Sequence, residues 1–202
     1  MVADVNAESP GEGRPDARAR LLAAAIEAFS AKGFHGTTTR DIAAAAGMSP
    51  AALYVHHRSK EELLHQICRE GHDRTLALCE AAVAAGGAPA EQLDRLIEDF
   101  VRHHAVNHTS ARIVNYEMSA MTDEHQAEIA ELRRRIDRVV RKLLERGAAS
   151  GHFVTSDPAM TASALLSLGI DVARWYRDDR GWTPDDVATH YVELARRMAG
   201  VT

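Results

Sequence analysis

Residues 36–64 read GTTTRDIAAAAGMSPAALYVHHRSKEELL, and this stretch decides the fold. It holds three helix starts in fewer than thirty residues. Thr38 precedes Asp41 by three positions, Ser49 is followed by Pro50, and Ser59 precedes Glu62 by three. A Ser or Thr at the N-cap with an acid at the third helical position satisfies the orphan amides of a helix start. Proline just inside a helix start is harmless, because its missing N–H would have had no partner. Between the first two starts lie Ala43 to Ala46 and then Gly47, a residue suited to the left-handed position that ends a helix. Two short helices joined by a Gly-containing turn form a helix-turn-helix, which implies DNA binding.

The second short helix suits that role. Ser49 and Pro50 open it, and Ala51 and Ala52 are too small to hold it away from a groove floor. Leu53 is expected to face inward. Tyr54, His56, His57, Arg58 and Lys60 crowd its end and the following turn. Phenol, imidazole and cationic groups there suit phosphate oxygens, contacts that position a protein on DNA without reading sequence. Arg40, at the start of the preceding helix, can reach a guanine edge or a phosphate. A small helical corner with a solvated polar face is the plainer alternative.

Taken together, Gly33-Phe34, Thr38-Thr39-Arg40-Asp41-Ile42-Ala43, Ala46-Gly47-Met48-Ser49, Leu53-Tyr54, His56 and Ser59-Lys60-Glu61-Glu62-Leu63 resemble the TetR family of one-component bacterial regulators. The upstream apolar helix Leu21-Leu22-Ala25-Ile26-Phe29 fits too, so the resemblance covers about residues 17–66. It implies an all-α homodimeric repressor in which the first three helices bind double-stranded operator DNA and the rest bind a ligand. It also implies that Thr39, Arg40, Ala51 and Tyr54 lie at the groove, beside Ser49 and Pro50, with Thr38, His56 and Lys60 at phosphates. His57 departs from the pattern. The family usually carries an aromatic there, often Phe, packed between the reading helix and the next, whereas an imidazole titrates near neutrality.

The composition is that of an ordinary globular chain: 202 residues, 46% apolar, 26% charged, formal net charge −5. That balance argues against a protein that coats nucleic acid indiscriminately. Over residues 14–62, however, seven Arg or Lys face five acids, which suits a site-specific and salt-sensitive DNA binder. Cys68 and Cys79 are eleven residues apart in one expected helix, about 16 Å at 1.5 Å per residue. A disulfide needs Cα atoms within about 7 Å, so the thiols are expected free, as in the cytoplasm. No long uncharged apolar run and no secretory signal is present. Residues 1–15 are acidic and rich in Gly and Pro and read as a disordered tail. At its junction with the first helix, Arg14, Arg18 and Arg20 could touch a minor groove or simply be solvated.

The expected organisation is a DNA-binding domain over 16–62 and a helical domain over 63–202, about nine helices in all. A long helix runs from Ser59 to about Val83, and Gly86-Gly87-Ala88-Pro89 breaks the chain. Residues 90–107 are amphipathic, through Leu93, Leu96, Ile97, Phe100 and Val101. A shorter helix is expected over 110–121, a long one over 123–149 ended by Gly147 and Gly151, another over 158–177, and a last one opening at Thr183-Pro184. The helix from Pro158 is apolar nearly all round, which requires cover on both sides. With the stripe Val187, Tyr191, Leu194, Met198 it would form an isologous four-helix dimer interface, placing two reading helices on half-sites about 34 Å apart.

The residues expected to line a ligand cavity are His103, His104, His108, Asn115, Tyr116, Glu117, Met118 and Met121 in the middle helices, with Arg174, Trp175 and Tyr176 late in the apolar helix. Of these, His104, His108, Tyr116, Met118, Met121, Arg174 and Trp175 are the candidate ligand contacts. Such a set suits a small, mostly hydrophobic effector with a polar end. Val172-Ala173-Arg174-Trp175-Tyr176-Arg177 resembles the corresponding part of actinobacterial family members that respond to acyl-CoA thioesters, which implies phosphate and adenine contacts for Arg174 and Trp175. Core packing is the competing reading of each residue. His103, His104 and His108 admit a second function, a metal-dependent sensor or enzyme, with Glu117 or His125 as a further ligand. Their spacing lacks the fixed pattern of a zinc site. No G-x-S-x-G, Gly-rich phosphate loop or H-E-x-x-H occurs, so no catalytic residue, cofactor or membrane association is expected.

Overall fold

A computed structural model describes residues 16–202, except for the side chain of Arg180. The tail expected over 1–15, including Arg14, lies outside the described residues. All three expected helix starts form. Thr38 caps α2 (Thr39–Ala45) in a reciprocal capping box with Asp41. Ser49 Oγ accepts from Ala52 N–H at 3.2 Å to cap α3 (Pro50–His56). Ser59 Oγ accepts from Glu62 N–H at 3.0 Å to cap α4 (Lys60–Ala84). Gly47, at φ 66°, makes the turn between α2 and α3.

The helix ahead of them, α1 (Ala17–Gly36), is interrupted at Gly33, whose φ of 70° and ψ of 168° swing the last turn aside. That swing buries Phe34 beside Phe29 and brings Thr37 Oγ1 within 2.8 Å of the Gly33 carbonyl. After α4 come α5 (Pro89–Val106), α6 (His108–Tyr116), α7 (Asp123–Ala149), α8 (Pro158–Trp175) and α9 (Pro184–Ala199). Among the described residues there is no strand, only one isolated bridge between Phe153 and Val201.

α4 is the hub. Its 25 residues span about 37 Å, and it packs on α1 at one end and on α5, α6 and α7 beyond. One continuous apolar cluster runs from Leu21, Ile42 and Leu53 through Leu63 and Leu64 to Phe100 and Leu143. Cys68 and Cys79 lie free inside it, their thiols pushed up to about 12 by burial.

Two expected boundaries move. The helix expected over 110–121 begins at His108 and stops at Tyr116, and Met118–Ala120 form a separate 3-10 turn. Gly147 does not end α7. It lies inside the helix, where a Cβ would overlap the Phe153 ring, and the break comes at Gly151 with φ 74°. α8 buries Ala162, Leu165, Gly169, Val172 and Ala173 within the chain. Its opposite side leaves Met160 and Leu168 70% and 42% exposed, and Met198 of α9 is also exposed.

Because Gly147 is a packing glycine, Gly147→Ala should displace Phe153 and lower unfolding stability by about 2 kcal/mol, measured by urea denaturation. Gly151→Ala also costs stability, through the left-handed backbone alone, about 1 kcal/mol.

Candidate DNA-binding surface and ligand cavity

The capped α2–α3 pair presents a polar outer face. Leu53 is fully buried and anchors α3 to the core, which turns Ser49, Pro50, Ala51, Tyr54 and His56 outward. Tyr54 Oη lies 3.2 Å from Thr39 Oγ1, so a hydroxyl pair joins α3 to the first turn of α2. Arg40 and Arg58 are exposed on either side. Val55, 79% exposed on α3, was not singled out from the sequence. An isolated Val between Tyr and His carries no periodic signal, yet a solvated branched side chain on this face suits a thymine methyl.

Two residues read as phosphate contacts are already engaged. Thr38 Oγ1 donates to Asp41 Oδ2 at 2.8 Å, and the bonds from Thr38 hold the Asp41 carboxyl below its ordinary range. Lys60 Nζ donates to the carbonyls of Phe34 and Thr37 at 2.6 and 2.7 Å, over the Phe34 ring at 4.1 Å. It is a clamp on the end of α1. His57 is only 2% exposed. Burial, followed by the charge of Arg18, lowers its pKa, so it packs as a neutral ring where an aromatic was expected. Its Nε2 is buried without a partner.

A cavity of about 390 Å³ opens between α1, α4, α5, α6, α7 and α8. Its apolar wall includes Ile67, Phe100, Val114, Ile136, Leu166 and Ile170, with Leu22 and Ile26 reaching in from α1. Arg74, Arg133 and Arg134 stand exposed at its edge with Glu70. His72 and His104, each 3% exposed, lie deeper. Burial lowers both imidazoles, His104 down to about 4, against the opposing pull of the Cys68 and Phe100 carbonyls.

Of the residues expected to line a ligand cavity, His103, His104 and Asn115 line this one. Tyr116 and Arg174 line a second one of about 300 Å³ beside Phe29 and Gly33, where both bond to Asp171. His108 packs on Tyr176, Met118 Sδ lies 3.0 Å from Arg133, Met121 is buried in the core, and Trp175 packs beside Tyr176. The break at Asn107 and the 3-10 turn point this run of residues in several directions. The contribution of α4 was missed. Its signal was small and polar residues on a buried face: Gly71, where a Cβ would meet Val114, then His72 and Thr75.

Nor do the three middle histidines converge. His104 Nδ1 lies 2.8 Å from the Phe100 carbonyl, His108 Nδ1 3.0 Å from that of Ala105, and His103 Nδ1 3.2 Å from Asn107 Nδ2. Among the described residues no group of three or more His, Cys, Asp or Glu is placed to hold a metal ion. Polar contacts instead join α4 to α7 near the DNA-binding end. Glu61 Oε1 accepts from Thr122 N–H at 3.0 Å and lies 2.7 Å from His125 Nδ1. His65 pairs with Glu128 at 2.9 Å, and the His65 and His125 rings stack at 3.7 Å.

This arrangement matches known proteins on both sides. The family model for bacterial regulatory proteins of the tetR family matches residues 21–67. A tetracyclin repressor-like C-terminal domain matches 86–199. The chain belongs to the TetR family. A tetR-family regulatory protein from Rhodococcus RHA1 is 43% identical, covering 94% of this chain and all of that one, with a TM-score of 0.88. The transcriptional repressor KstR2 of Rhodococcus jostii is 28% identical over 184 residues, 90% of each chain. AibR, solved with isovaleryl coenzyme A and operator DNA, shares the fold with a TM-score of 0.82 at 21% identity, covering 93% of this chain and all of that one. The protein is thus a DNA-binding transcriptional regulator of the TetR type and not an enzyme. Among the described residues no helix is long and apolar enough to cross a membrane.

The buried imidazoles set a pH dependence. His57, His72, His103 and His104 all have folded pKa values lowered from 6.5, chiefly by burial. The unfolded chain therefore binds more protons below about pH 6.5, and stability falls as pH drops through that value towards about 4. His57→Phe removes one such group and an unpartnered Nε2. It should raise stability by about 1 kcal/mol at pH 7, and by more at pH 5.5, in urea titrations at the two pH values.

Proposed function

We propose that the protein is a cytoplasmic homodimeric repressor that leaves a palindromic operator when a small, mostly hydrophobic effector fills the 390 Å³ cavity. The observation that carries this is the make-up of the cavity wall. Leu22 and Ile26 belong to the first helix of the DNA-binding part, and Ile67, Gly71 and Thr75 belong to the helix that leaves it. An effector bound there touches both, so it can favour one setting of the reading helices over another. Differential affinity is all the mechanism requires. A difference of about 3 kcal/mol changes operator affinity roughly a hundredfold.

The volume falls in the ordinary range for small-molecule sites, about 300–1,000 Å³. An apolar interior with Arg74, Arg133 and Arg134 at the edge suits an acyl chain with an anionic head, so acyl-CoA thioesters are the effector class we favour. This moves the anionic end away from Arg174 and Trp175 to arginines of α4 and α7. A second copy covers Met160 and Leu168 of α8 and Met198 of α9 across a two-fold axis, an isologous contact. On the DNA, Arg40, Thr39, Ala51, Tyr54 and Val55 face the groove, and Ser49, Pro50, His56 and Arg58 lie beside them. Thr38 and Lys60 hold the backbone that presents this face.

Arg40→Ala and Tyr54→Ala should each weaken operator binding at least tenfold in electrophoretic shifts with the promoter beside the gene, leaving the dimer and its melting temperature unchanged. If both bind like wild type, α3 is not the reading helix. A chain-length series of acyl-CoA thioesters should contain members that raise the melting temperature by mass action and release the operator. Ile67→Trp, which fills the cavity, should abolish both responses. A series that shifts neither quantity in the wild-type dimer overturns the effector class.

A further inference from the structure

The cavity has a hydrogen-bonding polarity that a list of its residues does not reveal. Three deep polar residues spend their hydrogen on their own helix. His72 Nδ1 lies 2.8 Å from the Cys68 carbonyl and His104 Nδ1 2.8 Å from the Phe100 carbonyl. Thr75 Oγ1 donates to the Gly71 carbonyl at 2.9 Å. A carbonyl oxygen only accepts, so both Nδ1 atoms carry the proton. Burial keeps both rings neutral at pH 7, and each Nε2 is then a bare acceptor. All three residues are less than 10% exposed, and His72 Nε2 is buried with no partner at all.

The edge is mixed. Arg74 and Arg133 can only donate, beside the Glu70 and Asp137 carboxylates, which accept. His103 differs from its neighbour: Asn107 Nδ2 donates to its Nδ1, which leaves the proton on Nε2. Donors are therefore available towards the mouth, whereas the deep imidazoles of His72 and His104 can only accept.

We propose that the effector carries a hydrogen-bond donor, a hydroxyl group, on the part of its hydrophobic body that reaches His72 and His104. This rests on reading the cavity as an effector site and narrows the class to hydroxylated acyl compounds. A ketone, ester or plain methyl terminus leaves the imidazole acceptors unpaired, and an oxo group sets lone pair against lone pair. Sites built to bond a buried hydroxyl discriminate strongly against analogues that lack it, because the unmet group keeps its desolvation cost.

The test uses the full-length dimer and matched eight-carbon thioesters: octanoyl-CoA, 7-oxooctanoyl-CoA, and octanoyl-CoA bearing one hydroxyl at successive chain positions. Calorimetric titration should find a hydroxylated member that binds at least tenfold more tightly than octanoyl-CoA, with the oxo compound weakest. In His72→Leu and His104→Leu that preference, the ratio of hydroxylated to plain octanoyl-CoA affinity, should fall to under threefold, whatever the absolute affinities. In His104→Gln, whose amide oxygen can still accept, part of it should return. If octanoyl-CoA or the oxo compound binds as well as every hydroxylated member, the donor requirement is wrong and the effector site stands. If no member binds while operator binding is intact, the acyl-CoA reading and this inference fall together. The free protein gives an independent check that needs no variant. Long-range proton–nitrogen NMR should place the proton on Nδ1 of His72 and His104 and on Nε2 of His103. A proton on Nε2 of His72 or His104 overturns the proposal.

Discussion

The Lys60 ammonium holds together the two places where the DNA-binding part could come apart. Gly33 ends the regular run of α1 and leaves the Phe34 carbonyl with the Thr37 N–H at 3.3 Å and the Thr37 carbonyl outside the helix. Lys60 Nζ fills both at 2.6 and 2.7 Å and lies over the Phe34 ring. Hydrogen bonds from a charged donor contribute more than neutral ones, about 1.5–3 kcal/mol, and here the donor is the first residue of α4. The start of α4 is thereby tied to the strand of chain that positions Thr38, and through its capping box to α2. The hydroxyl pair of Thr39 and Tyr54 carries that placement on to α3. A lysine free to reach a phosphate could not do this.

From that first turn, α4 has a different neighbour at each level. Glu61 bonds Thr122 and His125 at the start of α7, one position after the clamp. Ile67, Gly71 and Thr75 then face the cavity at intervals of four residues, one stripe of a single helix. A helix is stiff over this length, so a change in how its cavity stripe packs is a change in how its first turn sits. Val114 already occupies the space a side chain at position 71 would fill. The close approach of α6 to α4 there leaves little slack to absorb a displacement.

The helix-turn-helix was legible in the sequence because capping chemistry is local. A hydroxyl three residues before an acid fixes a helix start without help from distant chain, and all three starts formed. Leu53, on the inner side of α3, followed from the same register. The cavity was not legible. Its wall draws on six helices, and the cluster of His, Tyr and Met between 103 and 121 looked like a site only because those residues are adjacent in sequence. Once Asn107 and the 3-10 turn redirect the chain, only His103, His104 and Asn115 of the residues expected there remain at the cavity. Gly147 misled for a related reason. A glycine that stops a helix and one that admits a phenyl ring are the same letter, and Phe153 lies past the true break. His57 needed the three-dimensional surroundings to show that an imidazole can fill an aromatic's place once burial keeps it neutral.

That neutrality has an energetic consequence for the regulator. His57 and His72 each leave an Nε2 buried and unpaired, and such a group costs about 1–3 kcal/mol. His57, inside the DNA-binding part, lines neither of the two cavities described above, so a ligand in them leaves its cost in place. At His72 the ring lines a space of about 390 Å³, and a donor held there relieves the cost where it reaches Nε2. An effector that satisfied His72 would recover it in the bound state alone. That recovery adds to effector affinity without any new apolar contact, and it biases the regulator to the extent that the two settings present His72 differently. Regulation by this route draws on an unmet hydrogen bond already present on α4, twelve residues from the clamp that holds the DNA-binding helices in place.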